Sequence, residues 1–483
     1  MDNKLKVFSN LFWRFFERCG AQLVSFIVTI VLARVLAPEL YGLTSKVAVI
    51  TSILLVFVDS GMANALIQKK DPDDLDYSSV FYFNTVFCLI LYIILFFAAP
   101  LLSKLYHEPE LTPVMRVLGL TVVVAGVKNV QQAYVSKTMQ FKRFFFATLG
   151  GTVFSAVLGI SMAYGGFGVW ALVAQQLSNV TVNTIILWLT VGWKPKRMFS
   201  FQRLKGLLSY GWKLLASSLL DTIYLKIYPL VIGVKYTNAD LAFFERGNSM
   251  PNLIVEHINY SIDSVLLPVL SAEQDHRSQV REMTRRAIKT SSYIMMPIMA
   301  GLAACAEPLV RLLLTDKWLP CVPFLQIFCI IYAFYPLHTA NLNAIKAMGR
   351  SDVFLKLEVI KKILETAVLL ISMHYGVFAM ALGQLFSSIV SQVINAWPNK
   401  KLLGYRYLQQ LKDMLPAILL SAFMGFAVHL ISLLGLSDIL TLVIEIPLGV
   451  LIYVGLSALF RLDSFSYMLS VLRNMKSRGK ETA

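Results

Sequence analysis

Five basic side chains stand in or beside apolar segments, where a cation needs a reason to be: Arg14, Arg18, Lys46, Lys213 and Arg246. An Arg guanidinium can hold a phosphate or carboxylate through two parallel hydrogen bonds, whereas a Lys ammonium acts as a point charge. The chemistry these residues could do is therefore the binding of an anion. A charge at the centre of a membrane helix costs at least about 2.5–3.5 kcal/mol, so each asks for a partner or a wet cavity. Arg14 and Lys213 also suit a plainer role, as snorkelling anchors at a cytoplasmic helix end. Asp59, Asp221, Lys226 and Glu256 are candidates for lining a cavity or coupling to an ion, and Asp59 and Asp263 lie where helix capping would also use them. Glu17 has Arg14 and Arg18 at helical spacing, and Lys361 has Glu365. His257, His338 and His429 could carry protons, although a lone His is more often a satisfied polar group. Glu445 stands by itself in the last apolar segment.

The elements that would position these residues are membrane helices. The chain has 483 residues, of which 57% are hydrophobic and 15% charged, with a mean hydropathy of +0.65. Soluble domains average roughly 45–50% apolar and about 25% charged residues. Apolar runs of about 20 residues recur from end to end, each long enough to cross a hydrocarbon core as a helix. Unpaired strand edges cannot exist in lipid, and the alternation of a membrane barrel is absent. About fourteen spans are expected between residues 12 and 460, joined by short connections.

Charge orients them. Lys and Arg gather in alternate connections, as at Lys69–Lys70, Lys194–Lys205, Arg277–Lys289 and Lys400–Lys412, and in the tail after Arg473. The connections between these are poor in basic residues, a bias of roughly five to one that expects both termini in the cytoplasm. The formal net charge of +16 is thereby assigned to the membrane surface rather than to nucleic acid. The start of the chain lacks a compact apolar core with a small-residue cleavage site, so the first span is expected to serve as its own insertion signal. Cys19, Cys88, Cys305, Cys321 and Cys329 match no metal-ligand spacing and read as small core residues. No metal or cofactor is expected.

The chain also repeats itself. "FWR" at Phe12–Arg14 returns as "GWK" at Gly211–Lys213, "PELYGL" at Pro38–Leu43 as "NADLAF" at Asn238–Phe243, and "ISMAYGGFGVWAL" at Ile160–Leu172 as "ISMHYGVFAMAL" at Ile371–Leu382. The repeat matches Arg14 to Lys213 and Lys46 to Arg246. A unit of six helices is even, so both copies would insert the same way up, as in other parallel-repeat transporters. The expectation is an all-α polytopic protein: one six-helix bundle over 1–200, a second over 201–400, the two enclosing a central cavity, and two further helices with a basic tail over 401–483.

Local motifs carry a resemblance. "ARVLAPELYGL" at Ala33–Leu43, "DSGMANALIQKKD" at Asp59–Asp71, "LLPVLSAEQDHRSQVREMTRRA" at Leu266–Ala287 and "EPLVRLLLTDKWLPCVPFLQI" at Glu307–Ile327 are similar to segments of bacterial polysaccharide transporters. These belong to the superfamily of multidrug, oligosaccharide-lipid and polysaccharide exporters. The likeness covers nearly the whole chain. It departs at "LTDKW", where relatives often carry Gly before Lys-Trp. The resemblance implies a flippase in the bacterial cytoplasmic membrane, moving a polyprenyl-diphosphate-linked oligosaccharide from the inner to the outer leaflet. The partners it implies are that substrate, membrane lipids and proteins of polysaccharide assembly, for a chain expected to be monomeric. A relay follows from it: Arg14, Arg18 and Lys213 attract the diphosphate at the cytoplasmic mouth, and Lys46 and Arg246 take it on the outer side. Tyr224 or Tyr260 could stack on sugar rings.

Three other readings compete with this one. A cation-coupled drug antiporter of the same superfamily would favour an acidic cavity, which the symmetric basic pairs oppose. A membrane polysaccharide polymerase or ligase would need a catalytic outer loop, and the outer loops here are short. A structural scaffold would have no use for buried charge in both halves. No glycine loop followed by Lys-Ser or Lys-Thr suggests nucleotide hydrolysis. Coupling to an H+ or Na+ gradient is compatible with the sequence, and the identity of the sugar is not encoded in any motif.

Overall fold

The computed structural model describes residues 20–59 and 61–470, and every regular element among them is helical. The chain divides into two compact units, one running through Ala242 and the other from Phe243. Ten described helical segments are long and apolar enough to cross a membrane, or eleven if one bent pair counts as a single span. The chain is thus a multi-pass helical membrane protein, and the expected figure of fourteen spans is not reached on apolarity alone.

The first unit holds α1 (Gly20–Val35), α2 (Pro38–Asp59), α3 (Met62–Gln68), α4 (Asp74–Leu105), α5 (Leu111–Lys137), α6 (Phe141–Tyr164), α7 (Val169–Thr190) and α8 (Phe201–Lys235). Pro38 opens α2, a position where its missing N–H and fixed φ cost nothing. Asp73 and Asp76 form a reciprocal capping box at the start of α4, with Asp76 Oδ2 accepting from the Asp73 N–H at 3.0 Å and Asp73 Oδ1 from the Asp76 N–H at 2.9 Å. Asp76 is fully buried and also pairs with Lys69 at 2.5 Å. The connection into α8 is fastened to the same end of α4. Trp193 Nε1 donates to Asp74 at 3.1 Å, Lys196 pairs with Asp74 at 2.5 Å, and the Ser78 and Ser79 hydroxyls accept from the Lys196 and Ser200 N–H groups.

α7 is less apolar than its neighbours because Gln175, Gln176, Asn179 and Asn183 interrupt it. The structure supplies these amides with a neighbour. α6 presents Gly151, Ser155 and Gly159 at four-residue spacing, and α7 lies so close that a Cβ on Gly159 would stand 2.7 Å from Gln175 Cβ. Asn179 Nδ2 reaches Ser155 Oγ at 3.2 Å. Small residues that admit a close helix, with an amide bonded across the seam, are the usual packing device in lipid.

The second unit holds most of α9 (Asn238–Ala272), then α10 (Arg277–Ala304), α11 (Ala306–Leu314), a 3-10 turn (Asp316–Cys321), α12 (Val322–Ala333), α13 (Tyr335–Ala347), α14 (Ser351–Ser372), α15 (Val377–Leu402), α16 (Tyr407–Ser432) and α17 (Asp438–Leu459). Two apolar stretches are interrupted. The chain bends by 65° between α10 and α11, and α12 gives way to α13 at Phe334 within a stretch that stays one candidate span. Pro308 and Pro336 follow the two breaks by a few residues, and each removes a backbone donor that a continuous helix would need. Amides again bind helices together: Asn341 donates to Gln410 at 2.8 Å and accepts from Asn399 at 2.6 Å, joining α13, α15 and α16. Arg285 on α10 grips Asp413 on α16 through two 2.7 Å hydrogen bonds. Cys88, Cys305, Cys321 and Cys329 are free and buried, as core residues; Cys19 lies outside the described residues.

Candidate functional site

Lys46 sits two turns into α2 with only 2% of its surface exposed. Its stem fits because α8 passes it with a glycine: a Cβ on Gly233 would stand 3.2 Å from Lys46 Cγ. The ammonium lies 5.3 Å from the centre of the Tyr106 ring and 3.8 Å from Glu108 Oε1. Burial pushes the Tyr106 phenol up from its ordinary range, so the ring remains neutral above the cation. Glu108 is half-buried and also accepts from Asn238 Nδ2 at 2.8 Å. Asn238 opens α9 and packs against Gly42, where a Cβ would meet its carbonyl oxygen at 1.9 Å. The two sequence-matched motifs, "PELYGL" and "NADLAF", thus touch. The result is a desolvated cation whose one carboxylate partner comes from a connecting loop.

Arg246 has the corresponding place on α9. Its guanidinium carbon lies 5.1 Å from the ring centre of Trp318, which is fully buried in the 3-10 turn after α11. Phe243 meets the same indole edge-on at 6.1 Å. Each cation therefore stands on the second helix of its half, stacked on an aromatic ring that follows the fourth. The cations are 200 residues apart in the chain and the rings 212. The cations were legible in the sequence and the rings were missed. The available signal was that Tyr106 and Trp318 share nearly the repeat offset of Lys46 and Arg246. A cation over an aromatic face gains about 0.5–2 kcal/mol, more as water is excluded.

The other candidates are scattered. Arg14, Arg18 and Glu17 lie outside the described residues, as does the side chain of Asp59. Lys213 and Asp221 are exposed on α8, and Tyr224 and Lys226 on the same helix are half-buried. Glu256 is exposed and accepts from Asn252 Nδ2 at 2.8 Å, while Asp263 accepts from buried Asn343 at 2.7 Å. Tyr260 and His257 are exposed, His429 accompanies Ser432, and His338 shares a 2.9 Å hydrogen bond with Asn395. One pairing needs correction: Lys361 binds Glu358 at 2.6 Å rather than the expected Glu365. Helical side chains lean toward the N-terminus, which favours the partner three residues back over the one four residues on.

These features define a polytopic helical membrane protein of duplicated design, with an aromatic-stacked cation at the same place in each half. The chain belongs to the polysaccharide biosynthesis protein family, whose model matches residues 31–323. A model for the lipid II flippase MurJ also matches, over residues 247–446. The succinoglycan biosynthesis transport protein ExoT of Rhizobium meliloti is 22% identical over 81% of this chain and 77% of its own. The lipopolysaccharide biosynthesis protein WzxC of Escherichia coli is 23% identical over 82% of each. Among solved structures, the lipid II flippase MurJ in an inward closed conformation superposes with a TM-score of 0.73, at 16% identity over 93% of this chain and 98% of that one. An inward-facing multidrug transporter of the MATE family gives 0.61, at 16% identity over 82% and 95%. The fold is the one these two transporters share.

Proposed function

We propose that this protein flips a polyprenyl-diphosphate-linked oligosaccharide from the cytoplasmic to the outer leaflet of the bacterial inner membrane, for cell-surface polysaccharide synthesis. Membership of the polysaccharide biosynthesis protein family supports the process. The observation that carries the substrate class is the repeat-related pair of stacked cations, Lys46 over Tyr106 and Arg246 over Trp318. A diphosphate offers about two negative charges and several acceptor oxygens, which suits an Arg fork and a Lys point charge acting together. Arg14, Arg18 and Lys213 would gather the headgroup at the cytoplasmic mouth, and Lys46 and Arg246 would receive it on the outer side.

For Lys46 this means an exchange of anions. Glu108 holds the ammonium in this conformation, and a diphosphate would displace it as the halves alternate their access. The relatives are named for transport and biosynthesis, and the chemistry proposed here is translocation rather than catalysis. The charge bias supports a cytoplasmic position for both termini. Coupling to an H+ or Na+ gradient belongs to the same proposal, with Asp59, Asp221, Lys226 and Glu256 as the groups to vary.

The test is accumulation and rescue. Cells lacking the protein should pile up a lipid-linked oligosaccharide on the inner leaflet. Restoring the wild-type chain should clear it, while Lys46→Gln with Arg246→Gln, inserted to the same level, should slow clearance at least tenfold. If no intermediate accumulates and resistance to cationic drugs falls instead, the flippase reading is wrong.

A further inference from the structure

Glu445 has no place in the relay and is chemically exposed in another sense. It lies on α17, outside the repeated halves, with 1% of its surface accessible. The Cys305 thiol and the Ser432 hydroxyl lie close enough to interact with it, neither in full hydrogen-bond geometry, and no Lys or Arg of the described residues pairs with it. The polar groups that face it are the Cys305 thiol at the end of α10 and, from the end of α16, the Ser432 hydroxyl and the His429 ring. A buried carboxyl with no Lys or Arg partner is costly in any medium and more so at membrane depth, where it marks a functional position.

Beside it is space. A cavity of about 430 Å³ is bounded mainly by α10, α16 and α17, with Ile254 of α9 and Leu309 of α11 completing it, Leu302, Met424 and Val428 among its walls and Glu445 its one acid. Ile446 and Val450, on its lining, are exposed, so it opens at the surface of the unit. This is the size of a pocket for a small organic molecule, and many times the roughly 30 Å³ that one water occupies in the liquid. Glu445 stands seven residues into α17, about 10 Å along the axis from Asp438. A long apolar molecule with its polar end at that depth would keep its body in the cavity.

We propose that this cavity is a binding site for an amphipathic amine: an aliphatic or aromatic body held by the apolar walls, and a protonated nitrogen held by the Glu445 carboxylate. Charge complementarity selects the occupant. A plain hydrocarbon chain would fill the walls and leave the acid unpaired. A proton alone would neutralise the acid and leave the volume unused. An ammonium on an apolar body does both. Tyr453 lines the cavity with its hydroxyl already committed to the Tyr293 carbonyl at 2.8 Å, so it offers ring surface rather than a competing donor. The site would tie the two helices outside the repeat to α10, independently of the cations that handle the diphosphate.

The experiment uses the full chain in lipid nanodiscs and measures retention of radiolabelled dodecylamine and dodecanol above empty discs. The wild type should retain the amine saturably and at least tenfold more tightly than the alcohol. Glu445→Gln, which keeps the side chain's size, should bring the amine down to the level of the alcohol. Gly301→Leu should remove the binding of both while keeping the acid. Gly301 lines the cavity, and a Cβ there meets nothing closer than Met424 Cε at 3.7 Å, so the larger side chain extends into free volume. Equal retention of amine and alcohol by the wild type would overturn the proposal, whatever the variants do. So would amine binding that survives Glu445→Gln, since the occupant would then be recognised by its hydrocarbon alone.

Discussion

Lys46 is a cation almost cut off from water whose carboxylate partner is one third exposed. That asymmetry separates a structural pair from a transport residue. Removing the charge from Glu108 leaves the ammonium buried with only the Tyr106 ring, and an unsatisfied buried donor costs about 1–3 kcal/mol. Removing the charge from Lys46 leaves Glu108 with Asn238 and water. Glu108→Gln is therefore expected to lower stability by about 1–3 kcal/mol, read as a shifted thermal or denaturant midpoint in lipid, while flipping continues at an unchanged or higher rate. Lys46→Met keeps the methylene packing against Gly233 and should hold stability within about 1 kcal/mol while slowing flipping at least tenfold. Equal effects of the two substitutions on flipping would reduce the pair to a structural contact. The sequence showed the cation because a Lys in an apolar run violates composition. It hid Glu108, 62 residues further on, because an acid in a polar connection is unremarkable until the fold closes the loop onto α2.

At the scale of elements, helix positions followed from apolar run length, whereas breaks and pairings depended on tertiary contact. The bend between α10 and α11 and the division at Phe334 lie inside runs that stay apolar, with prolines as their only local mark. The polar residues of α7 make sense only against α6, because Gly151, Ser155 and Gly159 give the amides a surface to approach and Ser155 a group to bond. This makes the seam a sharp test. Gly159→Ile would drive a branched side chain into Gln175, with Cβ 2.7 Å from its Cβ and 3.5 Å from the Ala171 carbonyl oxygen. Overpacking of that kind costs about 1–3 kcal/mol. The expected outcome is a stability loss in that range, accompanied by faster hydrogen exchange in α6 and α7 than in α4 and α5. A change spread evenly over the first unit would mean that the seam does not hold α7 in place.

For the whole molecule, the open quantity is how many times the chain crosses the membrane, and the charges and the helices give it different answers. The alternation of basic and non-basic connections requires an even number of crossings in every half, and it works only if α7 and α14 both cross. Yet neither is among the helices that pass on apolarity: α7 carries its amides, and α14 carries Asp352, Lys356, Glu358, Lys361, Lys362 and Glu365. The structure removes part of the objection. α7 has its seam with α6, and in α14 Lys361 and Glu358 neutralise each other at 2.6 Å. Both helices have 22 residues, about 33 Å of rise, enough for a hydrocarbon core of about 30 Å. The prediction is read with reporters placed on each side of the two helices. Alkaline phosphatase, active only outside the cytoplasm, should be active when fused after Gly166 and after Tyr375, and inactive after Lys196 and after Gly349. A fusion partner that fluoresces only in the cytoplasm should give the opposite pattern at the same four positions. Like signals on both sides of α7 would mean that it does not cross, and every later connection would then be inverted relative to its charge. That inversion would also move Arg246 to the cytoplasmic side while Lys46 stayed outside, and the two cations could not act on one headgroup in one leaflet. The positions of four fusions therefore decide both the topology and whether the pair can work as proposed.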